Sequence, residues 1–276
     1  MSDRPPPLER LRARIARLGG PLCLGIDPHP DALPDALPRD VAGIETFARG
    51  LLEAAGEHAA AVKVNVAFFE AFGSAGWAAL ERLVGDVPDD HFLLLDAKRG
   101  DIGSTAERYA AGLFGRLGAD AVTLSPYLGE DAIEPFLAYP GRVAYLLVRT
   151  SNPSAARLQD LFVDGAPLHE RVAGWAASTW PDGRVGLVVG ATAPSELVRL
   201  RQLAPGPGFL VPGVGAQGGD LAAALANCHG TAAPGLVGIS RAVSAASRGD
   251  DWRSAAAASA QAWLGRMREA GATLPA

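Results

Sequence analysis

Leu93-Leu94-Leu95-Asp96-Ala97-Lys98-Arg99-Gly100-Asp101-Ile102-Gly103 is the stretch on which the reading of this 276-residue chain turns. Three leucines after His91-Phe92 read as a short, fully buried strand, and Gly100 and Gly103 mark where the chain turns. Asp96 and Lys98 are two residues apart, so in an extended chain they point to the same side. Asp101 follows just past the strand end. Two carboxylates and one amine are therefore expected in a small volume at the mouth of a buried sheet. A charged triplet beside a loop is often no more than a surface ion pair. Here the charges follow directly on an apolar strand instead of lying on a polar helix face, which favours a site. A lysine held between two carboxylates stays protonated and can be aimed as an acid at one carbon.

Outward from this stretch, the chain repeats one unit. Leu8, Leu11, Ile15 and Leu18 recur at helical spacing before Gly19-Gly20, which predicts an amphipathic helix capping one end of the domain. Leu22 to Asp27 reads as a first strand ending in an acid, and a Pro-rich loop and a helix over Ile44–His58 follow. Ala61 to Asn65 is a second strand that carries Lys63 within an apolar run, where lysine rarely sits without a partner. The pattern continues with a helix over Phe69–Val84, the Asp-x-Lys strand, and a helix over Ser104–Leu117. Strands over Ala121–Leu124 and Val143–Val148 lead into a long irregular stretch, 149–166, of the length that tends to carry function. Helix Pro167–Trp180, strand Val185–Val189, helix Pro194–Leu203, strand Gly208–Val211, strand Leu236–Ile239 and an Ala-rich helix over Trp252–Ala270 complete it. Eight short apolar strands alternating with helices predict an α/β fold, a (β/α)8 TIM barrel forming one domain over 1–276. The polar residues that end the strands then gather at the C-terminal face, where active sites of this architecture sit.

The composition agrees with such a core: 49% of residues are apolar and 20% charged. A net charge of −5 offers no basic stripe for nucleic acid, although a small phosphorylated ligand needs only one Arg and a few amides. Cys23 and Cys228 stand far apart, outside any metal-ligand spacing, and are expected to be reduced core thiols. His29, His58, His91, His169 and His229 are scattered without metal spacing, so neither metal nor cofactor is expected. No apolar signal core and no membrane-length run is visible, so a cytoplasmic protein away from membranes is expected.

Pro212-Gly213-Val214-Gly215-Ala216-Gln217-Gly218-Gly219 contains a formal Gly-x-Gly-x-x-Gly between a strand and a helix. A dinucleotide fold is disfavoured, because the motif follows the seventh strand and the next strand leads to Arg241 rather than an acid. In a barrel, loops after strands seven and eight commonly form a phosphate site. Gly215 would let the backbone approach the anion, Gln217 can donate a side-chain N–H, and Arg241 can pair with it. The other reading is ordinary turn glycines beside a surface arginine.

Taken together, Asp27, Lys63, Asp96-x-Lys98-x-x-Asp101, Thr105, Ser151, and Pro212-Gly-Val-Gly-Ala-Gln217-Gly-Gly with Arg241 make the chain similar to the orotidine 5′-phosphate decarboxylase family. The resemblance covers nearly the whole barrel, and Arg149-Thr-Ser-Asn-Pro looks like the longer-chain type 2 branch. Ser125 stands where that branch would lead one to expect Asn. The resemblance implies a metal-free decarboxylation of orotidine 5′-phosphate to uridine 5′-phosphate in pyrimidine biosynthesis. Lys98 would protonate a carbanion at ring carbon six, and Asp96 would lie near the departing carboxylate. Lys63 belongs to the alternating catalytic set and, with Asp27, would bind the ribose. Ser151 would contact the pyrimidine, and Gly215, Gln217 and Arg241 the phosphate. The resemblance also implies a homodimer with shared sites, Asp101, Ile102 and Thr105 reaching in from the second subunit. Two other readings stay open: a metal-dependent sugar-phosphate synthase or decarboxylase of the same barrel relatives, and a phosphate-ligand binding protein without catalysis. The first would end strand two in an acid, where Lys63 stands here. The second would call for a lesion in the Asp96, Lys98 and Asp101 set.

Overall fold

Alternation along the strands decides the architecture. In the computed structural model, which describes residues 4–215 and 217–272, eight parallel strands close into a barrel. They are β1 (Leu22–Ile26), β2 (Ala61–Asn65), β3 (Phe92–Arg99), β4 (Ala121–Leu124), β5 (Val143–Arg149), β6 (Val185–Val189), β7 (Phe209–Val211) and β8 (Leu236–Ile239). Closure comes from β1 against β8, with Leu22 opposite Val237. Residues of one parity, including Cys23, Phe92, Leu94, Ala121, Val143, Tyr145, Val188, Leu210 and Leu236, form the cluster inside the barrel. Those of the other parity, such as Leu24, Val62, Val64, Leu93, Leu95, Val122 and Leu187, pack outward against the helical ring. One strand thus serves two cores, as a period of two requires. The barrel expected from sequence is the one found. Ala216 of the glycine-rich segment and the extremes of the 1–276 span lie outside the described residues.

The N-terminal helix Pro7–Leu18 caps the barrel as expected, with Leu11 fully buried against the interior cluster. Two of its arginines, Arg10 and Arg14, are buried as well. Arg10 Nη2 donates to Asp120 Oδ1 at 2.6 Å, and Arg142 Nη1 reaches the same oxygen at 2.9 Å. The second oxygen of Asp120 accepts the Leu93 backbone N–H at 2.9 Å. This carboxylate, 1% exposed, therefore fastens the cap, β3 and the segment before β5 at one point. Cys23 and Cys228 are buried free thiols, each pushed up to about 12 by that burial.

Three segments differ from expectation. The helix expected over Phe69–Val84 is two, Ala67–Glu70 and Gly73–Gly85, broken where Gly73 takes φ +59°. The helix expected over Ser104–Leu117 is α-helical over Gly103–Ala110 and widens to π-helix over Ala111–Arg116. The stretch 149–166, read as irregular, holds a helical turn Ala156–Gln159 and a hairpin pairing Phe162–Val163 with Ala166–Pro167. Asp164 (φ +48°) and Gly165 (φ +84°) make its two-residue turn, the Asp-Gly pair such hairpins favour. At the base of this loop Arg149 forks onto Glu196 at 2.6 and 3.0 Å and pairs with Asp160 at 2.9 Å.

Removing one partner of a buried ion pair strands the others. Asp120→Ala should lower the unfolding free energy by roughly 3–5 kcal/mol in a denaturant titration. The exposed pair of Arg17 with Asp90 supplies the control: Arg17→Ala should cost under about 1 kcal/mol.

Candidate active site

At the C-terminal ends of the strands lies a cavity of about 670 Å³, lined among others by Asp27, Lys63, Asp96, Gly213, Gln217 and Arg241. Its floor is a line of alternating charge. Lys63, on β2, stands 3.6 Å from Asp27 Oδ1 and 3.3 Å from Asp96 Oδ2. Lys98 Nζ donates to the other oxygen of Asp96 at 2.6 Å. Burial disfavours the Lys63 ammonium, yet the two flanking carboxylates outweigh it and its pKa is raised. Burial likewise disfavours the Asp96 carboxylate. Lys63 and Lys98, with hydrogen bonds from Lys98 and Thr123, overrule that and hold it at about 2. Sequence reasoning expected Lys98 to be the lysine held between two acids; within one chain that lysine is Lys63.

Asp96 and Lys98 do share a side, but not through a regular strand. β3 pairs with β4 at Leu95 opposite Val122, and pairing resumes at Arg99 opposite Leu124. Three residues of β3 thus face Thr123 alone, a bulge of the kind that re-aims a side chain. Lys98 occupies it with φ +45°. A non-glycine residue there costs on the order of 1–3 kcal/mol, which the surrounding hydrogen bonds must offset. The Lys98 N–H goes to Thr123 Oγ1 at 3.0 Å, and that hydroxyl donates to Asp96 Oδ1 at 2.8 Å.

Beyond Asp27, Ser240 donates its hydroxyl to Asp27 Oδ2. Gly25 makes this possible: a Cβ there would lie 2.6 Å from that of Ser240. The glycine-rich turn closes through Gly219 N–H to Gly213 C=O at 3.0 Å, with Gly213 and Gly215 at φ +98° and +86°. Gly213, Val214 and Gln217 line the cavity, whereas Gly215 does not; it stands against the Trp263 ring, 3.0 Å from where a Cβ would be. Arg241 opens the turn Arg241–Ser244, is exposed, and makes no ion pair among the described residues. Ser151 borders an adjoining cleft and donates to Gln217 Oε1 at 2.9 Å, joining the two loops.

Lys98 ends the line of charge beyond the residues that line the cavity, and three further expected residues stand apart from the whole set. Asp101 accepts the Ile102 N–H at 2.9 Å and has no ion pair to Lys98 among the described residues. Ile102 is 54% exposed, and Thr105 is exposed on its helix. None of the three lines the cavity of its own chain. Thr123 and Ser240 were missed by sequence reasoning. Thr123 had a readable signal, as the one polar residue of an apolar strand on the inward parity. Ser125, the departure noted above, offers its hydroxyl to the Tyr127 N–H at 3.5 Å and touches none of the charged set. Among the described residues no group of three or more His, Cys, Asp or Glu is placed to hold a metal ion, and no helix is long and apolar enough to cross a membrane.

The model of the Orotidine 5′-phosphate decarboxylase / HUMPS family matches residues 20–254. Orotidine 5′-phosphate decarboxylase of Roseiflexus castenholzii is 52% identical over 87% of this chain and 89% of its own length. The protein of the same name from Herpetosiphon aurantiacus is 44% identical over 93% and 96%. The solved structure of Leishmania donovani OMP decarboxylase superimposes with a TM-score of 0.81 at 38% identity, covering 96% of this chain and 99% of that one.

The depressed pKa of Asp96 has a thermodynamic signature. Because the folded value lies below the ordinary 3.8, its stabilisation is present above that pH and lost as pH falls through about 2. Unfolding free energies measured from about pH 5 to pH 2 should therefore fall more steeply for wild type than for Asp96→Asn, by on the order of 2 kcal/mol in total. Parallel curves would mean that Asp96 titrates normally.

Proposed function

The chain belongs to the orotidine 5′-phosphate decarboxylase family, and from that premise and the geometry of the barrel mouth we propose how it decarboxylates orotidine 5′-phosphate to uridine 5′-phosphate in pyrimidine biosynthesis. The observation that carries the assignment of roles is the unbroken line Asp27–Lys63–Asp96–Lys98, with Arg241, which has no ion pair among the described residues, lining the same cavity as Asp27, Lys63 and Asp96.

The substrate is anionic at both ends. Arg241, the Gln217 amide and the glycine-rich turn hold the phosphate, while Asp27 and Lys63 bind the ribose hydroxyls. Ser151 contacts the pyrimidine. The carboxylate on ring carbon six then lies beside Asp96. Held at about 2, Asp96 remains ionised at neutral pH, so protonation cannot relieve that repulsion. As the carbon–carbon bond breaks, carbon dioxide departs uncharged and the electron pair stays on carbon six. The repulsion falls while attraction to the Lys98 ammonium rises, and only such differential interactions speed the step. Lys98 then gives its proton to carbon six and regains one from solvent.

The metal-dependent alternative is disfavoured by the donor set. The Lys63 ammonium lies between the two carboxylates that a divalent ion would need, and chelator should leave turnover unchanged. Arg241→Ala should raise KM for orotidine 5′-phosphate roughly ten- to a hundred-fold, the worth of a charge-assisted contact. Binding of the bare nucleoside should hardly change; equal losses for both ligands would make Arg241 structural.

The third acid is supplied by a second copy of the chain. Asp101 lies outside its own cavity, and near it an apolar surface is exposed: Ile102, Tyr109, Tyr127 at 78% and Leu128. A two-fold dimer that buries this surface would carry Asp101, Ile102 and Thr105 to the partner's Lys98. Lys98→Ala and Asp101→Asn homodimers should each be nearly inactive. After subunit exchange, each mixed dimer holds one site with both lesions and one with none. Random exchange restores about a quarter of all sites. If mass spectrometry shows exchange and activity stays at the sum of the two mutants, Asp101 acts within its own chain.

A further inference from the structure

We propose that Thr123 is a positioning residue for the decarboxylation, its single hydroxyl fixing both the backbone and the ammonium of Lys98. The proposal rests on the reading of Lys98 as the proton donor. In the bulge of β3, residues 96–98 face Thr123 alone, so the Lys98 N–H has lost its ladder partner. Thr123 Oγ1 takes that N–H at 3.0 Å. The same oxygen lies 2.8 Å from Asp96 Oδ1, which also receives Lys98 Nζ at 2.6 Å.

The hydrogen positions follow from the partners. An amide N–H can only donate and an ionised carboxylate can only accept, so the hydroxyl accepts from Lys98 and donates to Asp96. Both uses are met at once, and Thr123 is 1% exposed, so water does not compete for either. The hydroxyl thus touches Lys98 at its two ends, directly at the main chain and through a shared carboxylate oxygen at the tip. The branched Cβ narrows the rotamer that allows this. Thr123 is buried beneath Asp96 while the Lys98 side chain is half exposed, so it acts through these two residues and not on the substrate. An isosteric valine keeps the packing and loses both bonds, whereas serine keeps both bonds and loses a methyl group.

Steady-state kinetics with orotidine 5′-phosphate separates the roles. Thr123→Val should lower kcat by about 10- to 100-fold, the scale of a misplaced reacting group. KM should stay within about two-fold, because the phosphate and ribose contacts are untouched. Thr123→Ser should recover kcat to within about three-fold of wild type. Thr123→Ala, which also lacks the hydroxyl, carries the same expectation as valine should the valine variant fail to fold. A folded valine or alanine variant with wild-type kcat, or a serine variant as slow as valine, overturns the positioning role. Lack of turnover in the wild-type protein would instead remove the reading of Lys98 on which the role depends.

Discussion

The interaction on which the site depends is the compensation of one buried carboxylate. Asp96 has a side chain only 12% exposed, and burial by itself favours its protonated form. It stays ionised because two ammonium groups and a hydroxyl converge on its two oxygens. Lys63, buried between Asp27 and Asp96, needs its carboxylates in turn, and Asp96 fixes the Lys98 ammonium at 2.6 Å. The charges therefore cannot be altered singly. Removing one member leaves an uncompensated neighbour, which is how a small set of ions keeps its order in a low-dielectric floor.

The barrel supplies what short-range sequence cannot. Asp27, Lys63 and Asp96 come from three adjacent strands whose register sets Gly25 opposite Lys63 and Asn65 opposite Asp96. Gly25 lets the far edge of the ring close, since it admits Ser240 and with it the hydrogen bond that orients Asp27. Across the mouth, the turn after β7 and the turn after β8 bring Gln217 and Arg241 to the same cavity. One end of the site is built from side-chain ions on rigid strands and the other from backbone and loop. That division suits a fixed chemical centre and an adaptable anion grip.

Much of this was legible in the sequence because parity and charge obey local rules. The eight strands, the capping helix and the Asp96-x-Lys98 pair are read from periodicity and position, and the alternation of acids and lysines from the family resemblance. What escaped was set by pairing between strands. That Lys98 lies in a bulge depends on where β4 resumes its register, which no property of residues 96–98 announces. The partners of Lys63 are likewise a matter of strand pairing, so its place between Asp27 and Asp96 within one chain could not be read from residues 61–65. The hairpin at 162–167 is a different case. Its Asp164-Gly165 turn was written in the sequence and went unread, because the two strands it joins are only two residues each.

The barrel also has a second charged pole. At its base Asp120 gathers Arg10, Arg142 and the start of β3, while Asp96 gathers the lysines at the mouth. Three residues of extended strand, roughly 10 Å, separate Leu93 from Asp96, and the apolar layer of Leu94, Tyr145 and Leu210 lies inside the barrel. Contacts that far apart with no shared partner act independently. Variation in the chain then splits into two kinds that a cell would register differently. Changes at the base alter how many molecules are present and leave the chemistry alone, whereas changes at the mouth alter what each molecule does and its stability together. Selection can tune the abundance of this enzyme without retuning its chemistry.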